Sequence, residues 1–343
     1  MDDRGVQSLD PTIFTGIRQL MIGYSRTQAI YVAAKLGIAD LLDKTPQSAD
    51  DLAQATETHA PSLRRLLLML ASIGIFAEDT AGKFGHTPLS ETLSREHPQS
   101  VRNSAIMCGS EFFWRPWGEL REAVRTGRPA FDHVHGASFF EYLAAHSDDA
   151  AIFNGAMTSF SSARLSGRIV AAYDFSRFER IVDVGGGHGA LLYAILSANP
   201  RLHGVLADMP SVVAEAASLR EAAIAGRCEI VAIDFFHSVP DGADGYVMKA
   251  ITHDWEDADA LKILKNCRRA IRPDGRLLLI ELVLKAPNQP DPARSADLEM
   301  LVMLKGRERT EAEFRALLGE AGFALIRVIP TAGAASIIES QPA

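Results

Sequence analysis

Residues Ile181-Val182-Asp183-Val184-Gly185-Gly186-Gly187-His188-Gly189 carry a short apolar strand into an acidic residue and then into a turn packed with glycine. Because glycine has no Cβ, such a turn lets the backbone approach a bound ligand closely. Gly185, Gly187 and Ala190 also fit the G-x-G-x-x-A pattern of dinucleotide sites, so the glycines alone leave the class of ligand open.

Asp183, two positions before the first glycine of the turn, narrows that choice. A carboxylate repels a bound pyrophosphate, whereas it accepts hydrogen bonds from an amino group or an ordered water. A cationic nucleotide without phosphate, such as S-adenosylmethionine, therefore suits the turn better than a dinucleotide.

Two further acids follow the next two predicted strands. Asp208 ends the strand at 205–207, where a carboxylate can hold ribose hydroxyls. Asp234 and Phe235 follow the strand at 228–232, as an acceptor for an adenine amino group and a ring that can cover the base. The alternative is that all three acids are ordinary polar loop residues, but three acids after three successive strands favour a nucleotide site.

These blocks resemble the class I S-adenosylmethionine-dependent O-methyltransferases of the plant caffeate and bacterial polyketide-tailoring type. The resemblance covers nearly the whole chain, and further matching blocks follow the family's order: Phe153 to Met157, Asp208 to Pro210, Asp234 to Phe236, Lys249 to Trp255, Asn266-Cys267 and Gly306 to Thr310. It implies S-adenosyl-L-methionine as cofactor, S-adenosyl-L-homocysteine as product, and a winged-helix dimerisation domain before a Rossmann-like methyltransferase domain.

The expected fold class is α/β, with a mostly parallel sheet and one antiparallel strand. Strands near 180–184, 204–207, 228–232, 244–249 and 276–282 alternate with helices, as in parallel sheets. A final hairpin, near 324–329 and 335–339, would add the antiparallel strand and favours a methyltransferase over a dehydrogenase.

The expected domains are a winged-helix-like dimerisation domain at 1–100, a helical connecting and substrate-pocket region at 101–170, and the S-adenosylmethionine-binding domain at 171–343. The winged helix is predicted from three helices and a β-ribbon: helices at 28–42, from Ser48 and at 61–73, and the ribbon at 75–86. Apolar helices at 13–24 and 150–163 favour a homodimer.

His253 is the strongest catalytic candidate. It follows the strand at 244–249, and ligands of such sheets bind beyond the carboxyl ends of the strands. An imidazole can remove a phenol's proton at neutral pH, and the family places its base at this position. The resemblance also implies that the carboxylates of Glu281 and Glu308 flank this base and that Lys249 contacts the cofactor. The structural alternative for Glu281 is a plain charge at a strand end. For Glu308 it is a pair with Arg307 or Arg309, or an acid in the first turn of a helix that Thr310 caps.

The expected cofactor contacts are Asp183, Gly185, Gly187, Asp208, Asp234, Phe235 and Lys249. The expected substrate contacts are mostly aromatic, thioether or polar side chains of the helical region, each of which could equally belong to the core: Met107, Phe113, Trp117, Asn154, Met157, Phe160 and Asp254. Lys305, just before Gly306, departs from the family's pattern. The family's pattern therefore does not determine the rim of the pocket here, or the size or charge of the substrate.

Composition restricts the class of protein. The chain has 343 residues, of which 47% are hydrophobic, and a formal net charge of -8, which argues against a nucleic-acid partner. Cys108, Cys228 and Cys267 show no C-x-x-C spacing, and no apolar run reaches the ~20 residues of a membrane span. These features predict a cytoplasmic protein without a membrane partner.

The sequence predicts no metal site, since His133 and His135 fall in an expected loop without cysteines. The predicted function is transfer of a methyl group from S-adenosylmethionine to a hydroxyl of a small aromatic metabolite, with His253 as general base. Two alternatives remain: a relative that uses the cofactor structurally for hydroxylation or decarboxylation, and a ligand-responsive winged-helix regulator.

Overall fold

The computed structural model describes residues 11–160, 163–216, 218–220 and 222–343. The chain forms two compact units, an N-terminal unit at Met1–Trp114 and a C-terminal unit at Arg115–Ala343. The boundary between them falls inside the segment 101–170, which the sequence predicts as a connecting region; the predicted three-part division stays a prediction.

The N-terminal unit is mainly helical, with a small antiparallel sheet in the order β1-β3-β2. Its elements are α1 (Pro11–Met21), α2 (Gly23–Leu36), α3 (Ile38–Leu42), β1 (Gln47–Ser48), α4 (Ala49–Ala55), α5 (Ala60–Ser72), β2 (Phe76–Glu78), β3 (Lys83–His86), α6 (Pro88–Glu91), α7 (Arg102–Gly109) and α8 (Glu111–Trp114).

Local chemistry sets the ends of the helices in this unit. Ser48 caps α4 as predicted, because its hydroxyl accepts from the Asp51 amide while the Asp51 carboxylate accepts from Ser48. The single helix predicted at 28–42 is wrong. Gly37, with φ of 68°, adopts the left-handed conformation that ends α2 and begins α3.

The C-terminal unit alternates strands and helices after a helical segment. Its elements are a 3₁₀ turn (Arg115–Glu119), α9 (Leu120–Thr126), α10 (Ala130–His135), α11 (Phe139–Ala145), α12 (Ser147–Phe160), α13 (Ala163–Ala172), a 3₁₀ turn (Phe175–Arg177), β4 (Arg180–Val184), α14 (Ala190–Ala198), β5 (His203–Asp208), α15 (Pro210–Val213), a 3₁₀ turn (Ser218–Arg220), α16 (Ala222–Ala225), β6 (Cys228–Ala232), β7 (Gly245–Lys249), a 3₁₀ turn (Thr252–Asp254), α17 (Asp257–Ala270), β8 (Arg276–Glu281), α18 (Ala293–Met303), α19 (Glu311–Glu320), β9 (Phe323–Pro330) and β10 (Ser336–Pro342).

The large sheet has the order β6-β5-β4-β7-β8-β10-β9. Strands β4 to β8 pair in parallel, and β10 is antiparallel to both β8 and β9. This confirms the predicted α/β fold with one antiparallel strand. The strand order reverses between β4 and β7, and such a switch point opens a crevice at the carboxyl ends of the strands.

Successive residues of the central strands serve two separate cores. In β7, Tyr246 and Met248 face a core with α17 and α19, whereas Val247 faces a core with α13 and α14. A parallel sheet covered on both faces needs apolar residues on both, which explains the nearly continuous apolar runs of its strands. In β4, β5, β7 and β8, charged residues therefore lie at or next to the strand ends.

Among the described residues, no helix combines the length and the apolar character needed to cross a membrane.

Candidate active site

The glycine turn joins β4 to α14 at the switch point of the sheet. Gly185 and Gly187 have φ of 70° and 60°, a conformation that disfavours any side chain. A Cβ on Gly187 would meet nothing within 4 Å, so the turn presents open backbone to the crevice. A Cβ on Gly185 would lie 2.4 Å from Ile251 Cδ1 and 3.7 Å from the Phe235 ring, which places both residues beside the turn.

Asp183 lies behind this turn as an almost fully buried carboxylate. Neither of its oxygens has a hydrogen-bond partner. Burial, together with the nearby Asp208 carboxylate, raises the pKa of Asp183 to about 7. The Lys249 ammonium and the Leu192 amide oppose this rise and meet part of the desolvation cost, and the position also fits a ligand that brings an amino group, a water or positive charge.

Asp208 ends β5, and its carboxylate supports the same turn. Its Oδ2 accepts from the Gly187 amide at 2.8 Å and its Oδ1 from the Met209 amide at 2.7 Å. Burial raises the pKa of this carboxyl, and these two bonds oppose the rise. The arrangement fixes Asp208 at the edge where a ribose would lie.

Asp234 and Lys249 occupy the neighbouring strand ends. The Asp234 carboxylate is largely exposed and accepts from the Phe236 amide at 2.9 Å, with His237 Nδ1 at 2.7 Å. Burial lowers the pKa of Lys249, while the carboxylates of Asp183 and Glu281 raise it. The ammonium therefore stands in the field of two acids at the end of β7.

His253 lies on the 3₁₀ turn after β7, with a carboxylate on each side of its ring. Nδ1 is 2.8 Å from Glu308 Oε1, a distance at which Nδ1–H donates to the carboxylate. Nε2 is 3.4 Å from Asp254 Oδ1, and Glu281 Oε2 lies 4.0 Å from Nδ1. The structure thus brings together all three residues predicted to be catalytic.

Electrostatics at this ring are dominated by its acidic neighbours. Burial disfavours the imidazolium, but the carboxylates of Asp254, Glu281 and Glu308 outweigh burial and raise the pKa of His253 to about 10. Burial raises the pKa of Asp254 to about 7, although the imidazole opposes it. Without ligands, the three acids therefore favour the imidazolium form of His253.

Glu281 reaches the backbone that carries the base. Its Oε1 accepts from the amides of Ile251 and Thr252 at 3.2 and 2.8 Å and from the Thr252 hydroxyl at 2.7 Å. Its Oε2 is buried without a hydrogen-bond partner. These bonds fix the start of the turn, and their partners are backbone groups that no sequence motif reveals.

Glu308 does not pair with either neighbouring arginine. Both Arg307 and Arg309 bind Asp257 instead, and α19 begins later, at Glu311, with Thr310 as its cap. The structural alternative for Glu308, a pair with Arg307 or Arg309, is therefore wrong.

The ligand atoms of His253, Glu281 and Glu308 all lie within 4.8 Å of one another, a spacing that could also hold a metal ion. The 2.8 Å separation of Nδ1 and Glu308 Oε1 is that of a hydrogen bond.

His133 and His135, expected in a loop, lie instead in the last turn of α10, where His135 packs on Phe131 with ring centroids 4.3 Å apart.

The predicted substrate residues fall into both units. Met107 and Phe113 are buried in the N-terminal unit. Trp117, Asn154 and Met157 are half-buried in the C-terminal unit, with Asn154 and Met157 one turn apart on α12. The side chain of Phe160, the last residue of α12, lies outside the described residues.

Contacts that sequence reasoning missed connect α12 to the site. His188 of the glycine turn contacts the Thr158 hydroxyl through Nδ1 at 3.0 Å. Phe153 packs on Phe140 with centroids 6.4 Å apart, and Phe140 stacks on Trp255 at 5.6 Å. An aromatic surface therefore extends from α12 to the residue two positions after His253.

Known proteins match both parts of the chain. An O-methyltransferase dimerisation domain matches residues 18–96, and an O-methyltransferase domain matches residues 117–324. The chain is 44% identical to phenazine O-methyltransferase PhzM from Lysobacter antibioticus over 325 residues, which span 94% of this chain and 95% of that protein. It is 40% identical to mitomycin biosynthesis 6-O-methyltransferase from Streptomyces lavendulae, over 95% of this chain and 94% of that protein.

A solved structure extends the similarity to the fold. The O-methyltransferase from neocarzinostatin biosynthesis, crystallised with S-adenosylmethionine and 2-hydroxy-5-methyl naphthoic acid, has a TM-score of 0.80 and 34% identity. The alignment covers 93% of this chain and 96% of that one.

Proposed function

Because this chain belongs to the O-methyltransferase family, we propose that it methylates a hydroxyl of a small aromatic metabolite, with His253 as the general base. It is an S-adenosylmethionine-dependent O-methyltransferase. The observation that carries the finer proposal is the 2.8 Å contact of Glu308 with His253 Nδ1, which leaves Nε2 as the nitrogen for the acceptor's proton.

Two observations support the crevice between β4 and β7 as the cofactor site. The buried oxygens of Asp183 have no hydrogen-bond partner within bonding distance, and the backbone of Gly187 is open. When bound, S-adenosylmethionine supplies an electrophilic methyl group on a positively charged sulfur. We assign its contacts to the residues at the strand ends: Asp183, Gly185, Gly187, Asp208, Asp234, Phe235 and Lys249.

The chain's own contribution is to move and hold a proton. A neutral phenol is a weak nucleophile, so its oxygen has to lose the proton as it is methylated. Nε2 of His253 accepts this proton, and the carboxylates of Glu308 and Glu281 stabilise the imidazolium that results. Asp254, 3.4 Å from Nε2, lies where the acceptor's hydroxyl would arrive.

The aromatic class of the acceptor follows from the site and from the relatives. Phe140, Phe153 and Trp255 form an aromatic cluster that reaches the residue two positions after His253, and flat acceptors pack well on aromatic surfaces. The similar proteins are named for phenazine and mitomycin chemistry. We include Trp117, Asn154 and Met157 of the C-terminal unit as acceptor contacts; the contacts expected of Met107, Phe113 and Phe160 stay predictions. The dimerisation domain supports a homodimer.

The direct test is a panel of phenols, hydroxylated phenazines and hydroxynaphthoates incubated with isotopically labelled S-adenosylmethionine. Mass spectrometry should detect a labelled methyl group on oxygen in at least one acceptor. Adding EDTA should leave the rate unchanged, because the proposed proton transfer uses no metal ion. A strict requirement for a divalent ion, or labelled cofactor binding with no methylated product from any aromatic hydroxyl, would contradict the proposal.

The role of His253 is tested by His253→Gln, which keeps a polar side chain of similar length but cannot take up a proton. Turnover should fall by roughly 10²–10⁴, the usual contribution of a positioned base. Affinity for S-adenosylhomocysteine, measured by calorimetry, should be preserved. Activity should partly recover as the pH approaches ~10, where a phenol ionises unaided. Near wild-type turnover at neutral pH would show that another group removes the proton.

A further inference from the structure

Arg309 is a fully buried arginine, with an exposed fraction of 0%, one residue after Glu308. Burying a guanidinium costs several kcal/mol unless a counterion and hydrogen bonds compensate it. The structure provides both. Asp257 Oδ1 accepts from Nε at 3.0 Å and from Nη2 at 2.7 Å.

The remaining donors of Arg309 bind the backbone on both sides of the base. Nη1 donates to the Thr252 carbonyl at 2.8 Å and Nη2 to the Trp255 carbonyl at 3.0 Å. These carbonyls bracket His253 and Asp254. Because the guanidinium is planar and rigid, the two bonds fix the separation of the two ends of the turn, which a flexible ammonium cannot do.

The backbone of Arg309 is itself anchored to the sheet. It forms a parallel bridge with Val283, just after β8, and its carbonyl accepts from the Leu284 amide at 3.0 Å. The segment before it packs tightly on the turn, since a Cβ on Gly306 would lie 1.8 Å from the His253 carbonyl oxygen. Glu308 and Arg309 are thus a rigid pair: one holds the imidazole ring and the other holds the backbone that carries it.

We infer that Arg309 is a positioning residue for the base, fixing the turn that carries His253 so that the ring stays aligned with Glu308. This inference rests on the proposed role of His253. Arg309 acts through that histidine, because its side-chain contacts are with Asp257 and with backbone carbonyls. Glu281 holds the amides at the start of the same turn, so the turn is fixed from both sides.

The chain offers a matched control in Arg307. Arg307 binds the other oxygen of the same carboxylate, Asp257 Oδ2, at 3.0 Å, but its side chain is 41% exposed and makes no hydrogen bond to the carbonyls of Thr252 or Trp255. Replacing it removes a cation beside Asp257 and Glu313 and leaves the bonds of Arg309 to the turn in place.

Arg309→Lys keeps the positive charge and loses the planar fork. We expect kcat at neutral pH to fall by roughly 10- to 100-fold, since small misplacements of a catalytic group have effects of this size. The KM for the cofactor should change by less than about threefold, and the loss in kcat should shrink as the pH approaches the phenol's pKa of ~10. Arg307→Gln should retain kcat within about twofold at every pH.

The double variant His253→Gln/Arg309→Lys separates this inference from the proposed function. If Arg309 acts through His253, the double variant turns over no more slowly than His253→Gln alone. If the double variant loses kcat by the product of the two single losses, the positioning role is overturned. It is also overturned if the loss of kcat in Arg309→Lys persists at high pH. If His253→Gln itself retains full turnover, it is the proposed function that fails.

Should Arg309→Lys fail to fold, Asp257→Asn provides the second measurement, because it removes the counterion of Arg309 and keeps a hydrogen-bond acceptor. It should show the same pattern in weaker form, with lower kcat, an unchanged cofactor KM and recovery at high pH. An Asp257→Asn enzyme with wild-type kcat across the pH range would also overturn the inference.

Discussion

His253 combines two properties that oppose each other at neutral pH. Its acidic neighbours stabilise the imidazolium that forms when the acceptor loses its proton, but they also keep the ring protonated before the reaction. A base has to be neutral to accept a proton, so its pKa has to fall when the reacting complex assembles. A cation bound beside the ring would lower that pKa, because like charges disfavour each other.

We expect the positive charge of the cofactor to displace a proton from the enzyme. At about pH 8, His253 in the ligand-free enzyme is protonated, because its pKa of about 10 lies above that pH. Binding of S-adenosylmethionine should therefore release up to about one proton. Calorimetry in two buffers that differ in ionisation enthalpy measures this number.

S-adenosylhomocysteine is the matched control for that measurement, since it lacks the positive charge on sulfur and should release much less. In His253→Gln the difference between the two ligands should vanish. Equal proton release by both ligands in the wild-type enzyme would contradict a cation-controlled base.

The sequence was sufficient to predict that the Glu308 carboxylate lies beside His253, because each residue lies in a block that matches the family's order. Arg309 lies beside them, and the sequence suggests it only as an ion-pair partner of Glu308. Its true contacts are carbonyls 57 and 54 residues earlier in the chain. Every residue has a carbonyl, so no side-chain pattern in the sequence marks which ones a buried guanidinium will bind.

At the scale of elements, the strands of the large sheet were predictable because they are buried on both faces and consist of short apolar runs. The closing hairpin was predictable from its turn residues. The positions at which helices break are harder to predict. The break at Gly37 lies inside one continuous apolar pattern, and periodicity alone does not distinguish a left-handed glycine from a helical one.

The connection from β7 to the base contains a strained residue. Ala250, between Lys249 and the turn, has φ of 54°, a conformation that costs a residue with a Cβ about 1–2 kcal/mol. Ala250→Gly should relieve that strain, but glycine loses more backbone entropy on folding and one methyl group is removed, so the protein should gain between about 0 and 1 kcal/mol of stability. The unfolding temperature should stay unchanged or rise by up to about 2 °C.

Ala232 is the matched control, because it is exposed, ends the edge strand β6 and has no positive φ. Ala232→Gly should destabilise the protein by roughly 0.5–1 kcal/mol, since glycine loses more backbone entropy on folding. If Ala250→Gly lowers the unfolding temperature as much as Ala232→Gly does, the left-handed geometry at Ala250 is not a source of strain.

At the scale of the whole molecule, the first helices carry apolar side chains that the chain itself does not cover. The exposed side chains of α1 and the start of α2 include Ile17, Leu20, Met21, Ile22 and Tyr24. Isolated exposed apolar residues are ordinary, but a contiguous group of them marks an interface. Most of these residues lie within the matched dimerisation domain, 18–96, and they fall in the segment 13–24, one of the two predicted helices, with 150–163, from which the sequence predicts a homodimer.

A double substitution, Leu20→Glu with Met21→Glu, tests that surface, because these side chains are 78% and 68% exposed and the change costs little in a monomer. Light scattering at micromolar concentration should report a dimer for the wild-type chain and a monomer for the variant, since charges buried in an apolar interface lose their hydration. Val124→Glu, at an equally exposed valine (67%) on α9 outside the matched dimerisation domain, should remain dimeric. A wild-type monomer, or a variant that stays dimeric, would show that α1 and α2 do not form the interface.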